Sequence, residues 1–129
     1  MLERIFTASD NTGLNCFVFG SNTNGWHGAG AALEARRHWG AQQGVGHGRT
    51  GMAYAIPTKD HRMQTRSLRA IEIDVSIFLE YARANPDLLF LITKIGCGLA
   101  NLSESQIAPM FQNAPTNCVL PHGWDRNKS

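Results

Sequence analysis

The chain has 129 residues, of which 43% are hydrophobic and 17% are charged, and its formal net charge at pH 7 is +2. This composition argues against disorder, and the near balance of charge argues against a broad nucleic-acid-binding surface. The length suits one domain covering residues 1–129, whose core needs no disulfides or metal.

The cysteines and histidines show no pattern of a metal site. Cys16, Cys97 and Cys118 are widely spaced, no C-x-x-C motif occurs, and the five histidines share no ligand spacing. We therefore expect neither a disulfide framework, nor a metal, nor a cofactor. No apolar stretch is as long as a membrane span, and the chain does not open like a signal peptide, so we expect a cytoplasmic protein without a membrane partner.

The first part of the chain predicts a strand, a glycine-rich loop and a helix. Residues 3–8 suit a short edge strand, and the apolar residues 14–20 suit a buried one. Residues 29–39 predict a helix that turns alanines and Trp39 toward the core. The loop between them reads GSNTNGWHGAG from Gly20 to Gly30.

A strand, a glycine loop and a helix N-terminus together form an arrangement in which backbone N–H groups and the helix dipole bind an anion. We interpret this loop as a phosphate-binding loop; a tight turn without a ligand is the alternative. The loop lacks the third glycine of the dinucleotide fingerprint, and no Gly-Lys-Ser/Thr follows it. It is therefore neither a dinucleotide-binding fingerprint nor a P-loop.

The middle of the chain predicts a long loop, a strand and an amphipathic helix. Residues 40–51 contain five glycines and form a loop long enough to cover a site. Residues 52–57 suit a strand that ends at Pro57, which puts Thr58, Lys59 and Asp60 at its carboxyl end. A helix of about four turns follows, with these positions toward the core: Leu68, Ile71, Val75, Phe78, Leu79 and Ala82.

The last third predicts a buried strand at residues 88–95 and a second glycine turn, Gly96–Leu99, that leads into a helix start. Ser103 and Gln106 form a capping box, and Pro109 shortens or kinks the helix that follows. Residues 117–120 suit a last short strand. The polar tail, residues 121–129, is expected to be loosely held.

Strands that alternate with helices predict an α/β fold on a largely parallel or mixed sheet. Ligands of such folds bind outside the carboxyl ends of the strands. The Asn22–Gly30 loop, residues 58–60 and the Gly96–Leu99 turn each follow a predicted strand. Parallel strands would bring all three to one edge of the sheet, so the sequence predicts a ligand site there.

Four pieces of the chain, in order and spread over residues 15–111, carry a resemblance to a known family. They are Asn22 after its strand, the His27-Gly-Ala-Gly-Ala-Ala32 loop, Ile56-Pro-Thr-Lys59 and Ile95-Gly-Cys-Gly-Leu99. With them the chain resembles the macrodomain superfamily, which binds ADP-ribose and its derivatives, and within it the terminal ADP-ribose glycohydrolases. The resemblance implies a macrodomain-like three-layer sandwich, in which helices flank a mixed, largely parallel sheet.

The resemblance also implies roles for residues. Asn22 would approach the distal ribose, and Lys59, next to Thr58, would match the lysine that forms a covalent sugar adduct. The backbone would hold the diphosphate at Gly28, Ala29, Gly30, Gly96, Cys97, Gly98 and Leu99. A lysine amine attacks a sugar carbon only when it is neutral, which burial or a neighbouring cation favours. The alternative is an exposed Lys59 paired with Asp60.

Two departures from the family leave the activity open. The aspartate that resolves the adduct is replaced by Ala100, so Asp60 is the first substitute, and Asp10 is the one candidate for reading adenine. The protein is then either an ADP-ribosyl glycohydrolase that acts on a modified protein or nucleic acid through Lys59, or a non-catalytic module. Such a module would sense or sequester an ADP-ribose-related signalling nucleotide.

Three further residues of these loops have two interpretations each. Trp26 stacks on a base or sugar of the ligand, or it only forms one side of the pocket. His27 contacts the ligand or is structural. Cys97 is a nucleophile activated by a nearby histidine, or a packed structural cysteine.

Overall fold

A computed structural model describes residues 6–124 and shows an α/β fold on a mixed sheet of five strands. The sheet order is β2-β3-β1-β4-β5. Its strands are β1 (Asn15–Asn22), β2 (Gly48–Thr50), β3 (Ala53–Lys59), β4 (Leu89–Ile92) and β5 (Cys118–Val119). The helices are α1 (Gly30–His38), α2 (Leu68–Ala84) and α3 (Glu104–Ile107), with 3₁₀ turns at Ala8–Asp10 and Ala108–Phe111. Only β2 runs antiparallel to its neighbour; the other pairs are parallel.

The central strand β1 is buried on both faces, which explains its continuous apolar sequence. Cys16 and Val18 belong to the core under α2, whereas Phe17 and Phe19 belong to the core under α1. None of the four is more than 3% exposed. Helices therefore cover both faces of the sheet.

Helix α1 lies close to the sheet because its buried residues are small. Ala32 and Ala35 are its buried positions. Trp39, directly after the helix, stacks on Phe17 with ring centroids 5.0 Å apart. The predicted inward positions of this helix are confirmed.

Helix α2 buries five of its six predicted core positions, but Leu68 is 37% exposed. Leu68 is the first residue of the helix, and the buried stripe begins one turn later at Ile71. Asp74 is also buried, which the apolar pattern did not indicate, and Arg66 pairs with its carboxylate.

Two predicted boundaries in the middle of the chain are wrong. The loop of residues 40–51 contains strand β2, which pairs with β3 from Gly48 to Thr50. Strand β3 does not end at Pro57 but continues to Lys59. A proline removes only one backbone donor, and Pro57 still aligns with Ser21 of β1 while its carbonyl accepts from Arg66 Nη1 at 2.8 Å.

Strand β4 ends at Ile92, and the Gly96–Leu99 turn does not run directly into a helix. Helix α3 begins five residues after Leu99, where the Ser103 N–H donates to Gln106 Oε1 at 2.9 Å. It gives way at Ala108 to the 3₁₀ turn that contains Pro109, as predicted.

The two ends of the described chain differ from the prediction. Ala8–Asp10 forms a 3₁₀ turn, and residues 6 and 7 form no strand; the rest of the predicted edge strand lies outside the described residues. Trp124 is 4% exposed, and its indole N–H donates to Glu104 Oε1 at 2.7 Å. The prediction of a loosely held tail is therefore wrong for residues 121–124, and residues 125–129 lie outside the described part. Among residues 6–124, no helix is both long and apolar enough to cross a bilayer.

Candidate functional site

A cleft of about 490 Å³ lies at the carboxyl edge of the three neighbouring parallel strands β3, β1 and β4. Asn22 and Lys59 end β1 and β3, and Thr93 and Lys94 directly follow β4. All four residues line the cleft. The parallel strands thus bring the three predicted segments together.

Most of the residues predicted for the site line this cleft: Asn22, Trp26, Gly28, Ala29, Gly30, Thr58, Lys59, Gly96, Gly98 and Leu99. Three predicted residues, His27, Asp60 and Cys97, do not. Asp10 is also absent from the lining, and its carboxylate accepts the Thr7 N–H at 2.8 Å.

The start of the glycine loop is fixed by the Asn22 side chain. Its Oδ1 accepts from the Trp26 N–H at 3.0 Å, and its Nδ2 donates to the Trp26 carbonyl at 2.8 Å. Asn22 itself is 5% exposed. It therefore shapes the loop, and one amide hydrogen and one lone pair remain for the predicted ribose contact.

Residues 40–47 support this loop and do not line the cleft, so they are not the predicted flap. The Gly44 N–H donates to the Gly25 carbonyl at 2.9 Å, and the His27 N–H donates to Gln43 Oε1 at 2.7 Å. The backbones are so close that a Cβ on Gly25 would lie 2.3 Å from the Gly44 carbonyl carbon. The glycine loop is thus built on a second layer of glycine-rich chain.

Helix α1 opens into the cleft without a side-chain cap, because Ala29 is its N-cap residue. No backbone N–H from Gly28 to Ala32 donates to an acceptor within residues 6–124; the first helical bond is from Leu33 N to the Ala29 carbonyl, at 3.2 Å. Free N–H groups at the positive end of a helix attract an anion. Across the cleft, the N–H groups of Gly96, Gly98 and Leu99 are likewise unpaired in the described chain.

Lys59 is the predicted nucleophile, and the structure places it in the cleft without an ion pair to any described residue. The Asp60 carboxylate does not pair with it. Instead, Asp60 Oδ1 accepts the N–H groups of Gln64, at 3.0 Å, and Arg62, at 2.8 Å. These bonds, with Gln64 first, lower the pKa of Asp60. The acid beside Lys59 is therefore a cap on a turn.

Lys94 is a cleft residue that the sequence reasoning missed, because the predicted strand included it. Its Nζ lies 3.3 Å from Glu104 Oε2, and Trp124 donates to the other oxygen of that carboxylate. The Trp124 hydrogen bond, followed by Lys94, lowers the pKa of Glu104. The described lining of the cleft holds both lysines and no carboxylate, so it favours an anionic ligand.

Cys97 and His27 are structural in this arrangement. The Cys97 thiol is half-buried and donates to the Ile95 carbonyl at 3.5 Å, and burial raises its pKa, which disfavours a thiolate nucleophile. His27 is 0% exposed and lies edge-on to Phe19. Burial lowers the pKa of His27; the nearby Val45 carbonyl opposes that shift and Arg36 reinforces it.

The rim of the cleft is apolar. Trp26, Met63 and Leu99 line it and are respectively 61%, 44% and 69% exposed. Met63 was not predicted for the site. Ala100 also lines the cleft, is 5% exposed, and its carbonyl accepts from Thr65 Oγ1 at 2.7 Å.

Within residues 6–124, no three histidine, cysteine or acidic side chains are grouped so that they could hold a metal ion. Comparison with protein-family models, with curated proteins and with solved structures gives no match. The functional inference therefore depends on the residues and geometry of the cleft.

Proposed function

We propose that this cleft binds ADP-ribose or a ligand that contains it, in a macrodomain-like sandwich. The observation that carries the proposal is the row of unpaired N–H groups from Gly28 to Ala32, at the N-terminus of α1 in a cleft that holds two lysines. A diphosphate has the charge and the acceptor oxygens to satisfy such a row. The volume of about 490 Å³ is in the range of small-molecule and cofactor sites.

The two glycine segments suit the two phosphates of ADP-ribose. The Gly28–Gly30 backbone provides donors on one side of the cleft, and the Gly96–Leu99 turn provides them on the other. Asn22 lies at the start of the first segment, where its remaining hydrogen-bonding capacity suits a ribose hydroxyl. Binding in this mode requires neither a metal nor a cofactor.

The simplest activity for such a site is non-catalytic: the protein senses or sequesters its nucleotide. Ala100 stands where the related hydrolases carry the resolving aspartate, and Asp60 caps a turn outside the cleft. No described carboxylate lines the cleft to activate a water. These observations favour binding over turnover.

One observation favours the catalytic alternative, in which ADP-ribose is removed from a modified macromolecule. Lys59 is in the cleft and forms no ion pair within the described chain. In that reaction the neutral amine of Lys59 forms a bond to the anomeric carbon, while the bond from that carbon to the leaving carboxylate oxygen breaks. Water must then release the sugar from the lysine.

Calorimetry with ADP-ribose, AMP and NAD tests binding. We expect ADP-ribose to bind more tightly than AMP, because it offers a diphosphate and a second ribose to the cleft. Equal binding of all three, or none, would remove the proposal. Mass spectrometry of the ligand released by heat then distinguishes a sequestering module, which returns it intact, from an enzyme, which returns a changed species.

The variant Lys59→Ala distinguishes a protein that only binds its nucleotide from an enzyme that acts through Lys59. Because the backbone holds the diphosphate, we expect this variant to keep its affinity within about threefold, a difference of less than 1 kcal/mol, and to lose any adduct trapped by borohydride reduction. Loss of binding would instead make Lys59 a phosphate contact and end the catalytic proposal. Ala100→Asp should spare binding and, if Lys59 is a nucleophile, accelerate release of ADP-ribose by about 10²-fold or more.

A further inference from the structure

Met63 has a backbone conformation that its side chain disfavours. Its φ is 62°, and the only other described non-glycine residue with positive φ is Asn101, at 61°. Asparagine tolerates this left-handed region through its short polar side chain, whereas a long apolar residue gains nothing there. Met63 therefore requires an explanation that Asn101 does not.

The turn around Met63 is held by a set of hydrogen bonds. The Met63 N–H donates to the Asp60 carbonyl at 3.0 Å, and the Asp60 N–H donates to the Gln64 carbonyl at 2.8 Å. The Asp60 carboxylate closes the turn by accepting from the N–H groups of Arg62 and Gln64. The turn thus fixes a strained residue directly after the strand that carries Lys59.

The strain does not serve the core, because Met63 is 44% exposed. It places an apolar side chain at the cleft instead. Strained backbone of this kind persists where the surrounding structure enforces it, and it clusters at ligand sites.

Met63 shares the rim of the cleft with Trp26 and Leu99, which come from two other segments of the chain. The Trp26 indole rests on the glycine loop, since a Cβ on Gly28 would lie 2.5 Å from Trp26 Nε1. Trp26 as a whole is 61% exposed. An apolar rim above a cationic, N–H-rich floor matches a ligand with an anionic part and a flat apolar part.

We propose that Met63 is a specificity-determining residue that, with Trp26 and Leu99, holds the heteroaromatic base of the bound nucleotide. The inference rests on the proposed function, which supplies a nucleotide as ligand. The thioether packs against the edge or face of the base, and the Trp26 indole stacks on it. Asp60 is a positioning residue, because it fixes the turn that presents Met63.

The test is Met63→Gly, examined with three probes: ADP-ribose, adenosine, and ribose 5-phosphate, which has no base. Glycine accepts a positive φ, so the melting temperature should stay equal to that of the native protein or rise by a few degrees. Affinity for ADP-ribose and adenosine should fall about 5- to 20-fold, the range of losing one base contact. Affinity for ribose 5-phosphate should stay within twofold.

Asn101→Gly is the matched control, because it relaxes the other positive φ at a residue that does not line the cleft. It should leave affinity for all three probes unchanged. Asp60→Ala, which opens the turn, should lower both the melting temperature and the preference for probes that carry a base.

Three results would overturn the inference. They are an unchanged affinity in Met63→Gly, an equal loss for probes with and without a base, and a lower melting temperature, which would make Met63 a packing residue. If the native protein binds adenosine but not ADP-ribose, the proposed function fails, and a weaker adenosine affinity in Met63→Gly still supports the base contact. If it binds none of the probes, both proposals are rejected.

Discussion

The buried imidazole of His27 provides a test of how the Gly20–Gly30 loop packs on residues 40–47. This test needs no ligand. His27 is 0% exposed, and neither of its ring nitrogens makes a hydrogen bond of good geometry within residues 6–124, although the Val45 carbonyl lies near the ring. Replacement by phenylalanine keeps a flat ring against Phe19, to which His27 now lies edge-on with centroids 5.2 Å apart. The substitution therefore removes the polar atoms and places a somewhat larger ring in a fully buried site.

The change in the free energy of unfolding that we expect from His27→Phe has one part that is the same at every pH and one part that depends on pH. Burying an unpaired polar group costs about 1–3 kcal/mol, so His27→Phe should raise the free energy of unfolding at pH 7.5 by up to about that amount, less the cost of fitting the larger ring. Burial also lowers the pKa of His27 from 6.5. Below pH 6.5 the unfolded chain then binds a proton that the native state refuses, so the native protein loses stability as the pH falls. The loss is up to about 1.4 kcal/mol at pH 5.5 and stops at the native pKa.

Urea unfolding at pH 7.5, 6.5 and 5.5 measures both parts. As the pH falls from 7.5 to 5.5, the free energy of unfolding of the native protein should decrease. The decrease in His27→Phe should be smaller by up to about 1.4 kcal/mol. His38→Phe, at an exposed position in the last turn of α1, is the control and should keep the native pH dependence. The lowered pKa values of Asp60 and Glu104 act only at more acidic pH, since their ordinary values are 3.8 and 4.5.

Equal pH dependence in the native protein and His27→Phe would refute this reasoning, because it would mean that the imidazole is solvated or hydrogen-bonded in the native state. A loss of stability in His27→Phe at pH 7.5 would show that lost contacts of the ring nitrogens, or the larger ring, outweigh the gain from removing buried polar atoms.

Two further predictions concern the packing behind the glycine loop and the cleft residue Lys94. Gly25→Ala, at φ +72° and with its Cβ 2.3 Å from the Gly44 backbone, should lower the free energy of unfolding by about 2–5 kcal/mol, from backbone strain and overpacking together. Gly44→Ala, at φ +95° with open space around its Cβ, should cost only about 1–2 kcal/mol, and equal losses in thermal unfolding would contradict the close contact. Lys94→Gln should weaken ADP-ribose binding about tenfold in calorimetry, reduce its salt dependence and spare adenosine. An unchanged affinity would mean that the ion pair with Glu104 keeps Lys94 from the ligand.

The sequence by itself determined the elements that frame the cleft. The apolar run of β1 and the spacing of the buried residues in α2 are local patterns, and each reports which side of an element is shielded from water. The glycine loop could be placed for the same reason, because it lies between a buried strand and a small-residue helix. The rule that parallel strands share a carboxyl edge then brought three segments together.

The tertiary structure alone decided which side chains enter the cleft. Lys94 lines it because β4 ends at Ile92, a boundary set by pairing with β1 and β5 and not by the apolar run. Asp60 is adjacent to Lys59 in sequence, but backbone N–H groups of its own turn hold its carboxylate.

The tertiary structure alone also decided how residues 40–47 pack behind the glycine loop. Nothing in residues 40–47 indicates that they pack against Gly25, because that contact joins segments about 20 residues apart and depends on the absence of a side chain at Gly25. His27 is buried for this reason, and Met63 is exposed because its own turn fixes a positive φ. Side-chain direction at the end of a strand or in a turn depends on long-range contacts, which a local pattern does not contain.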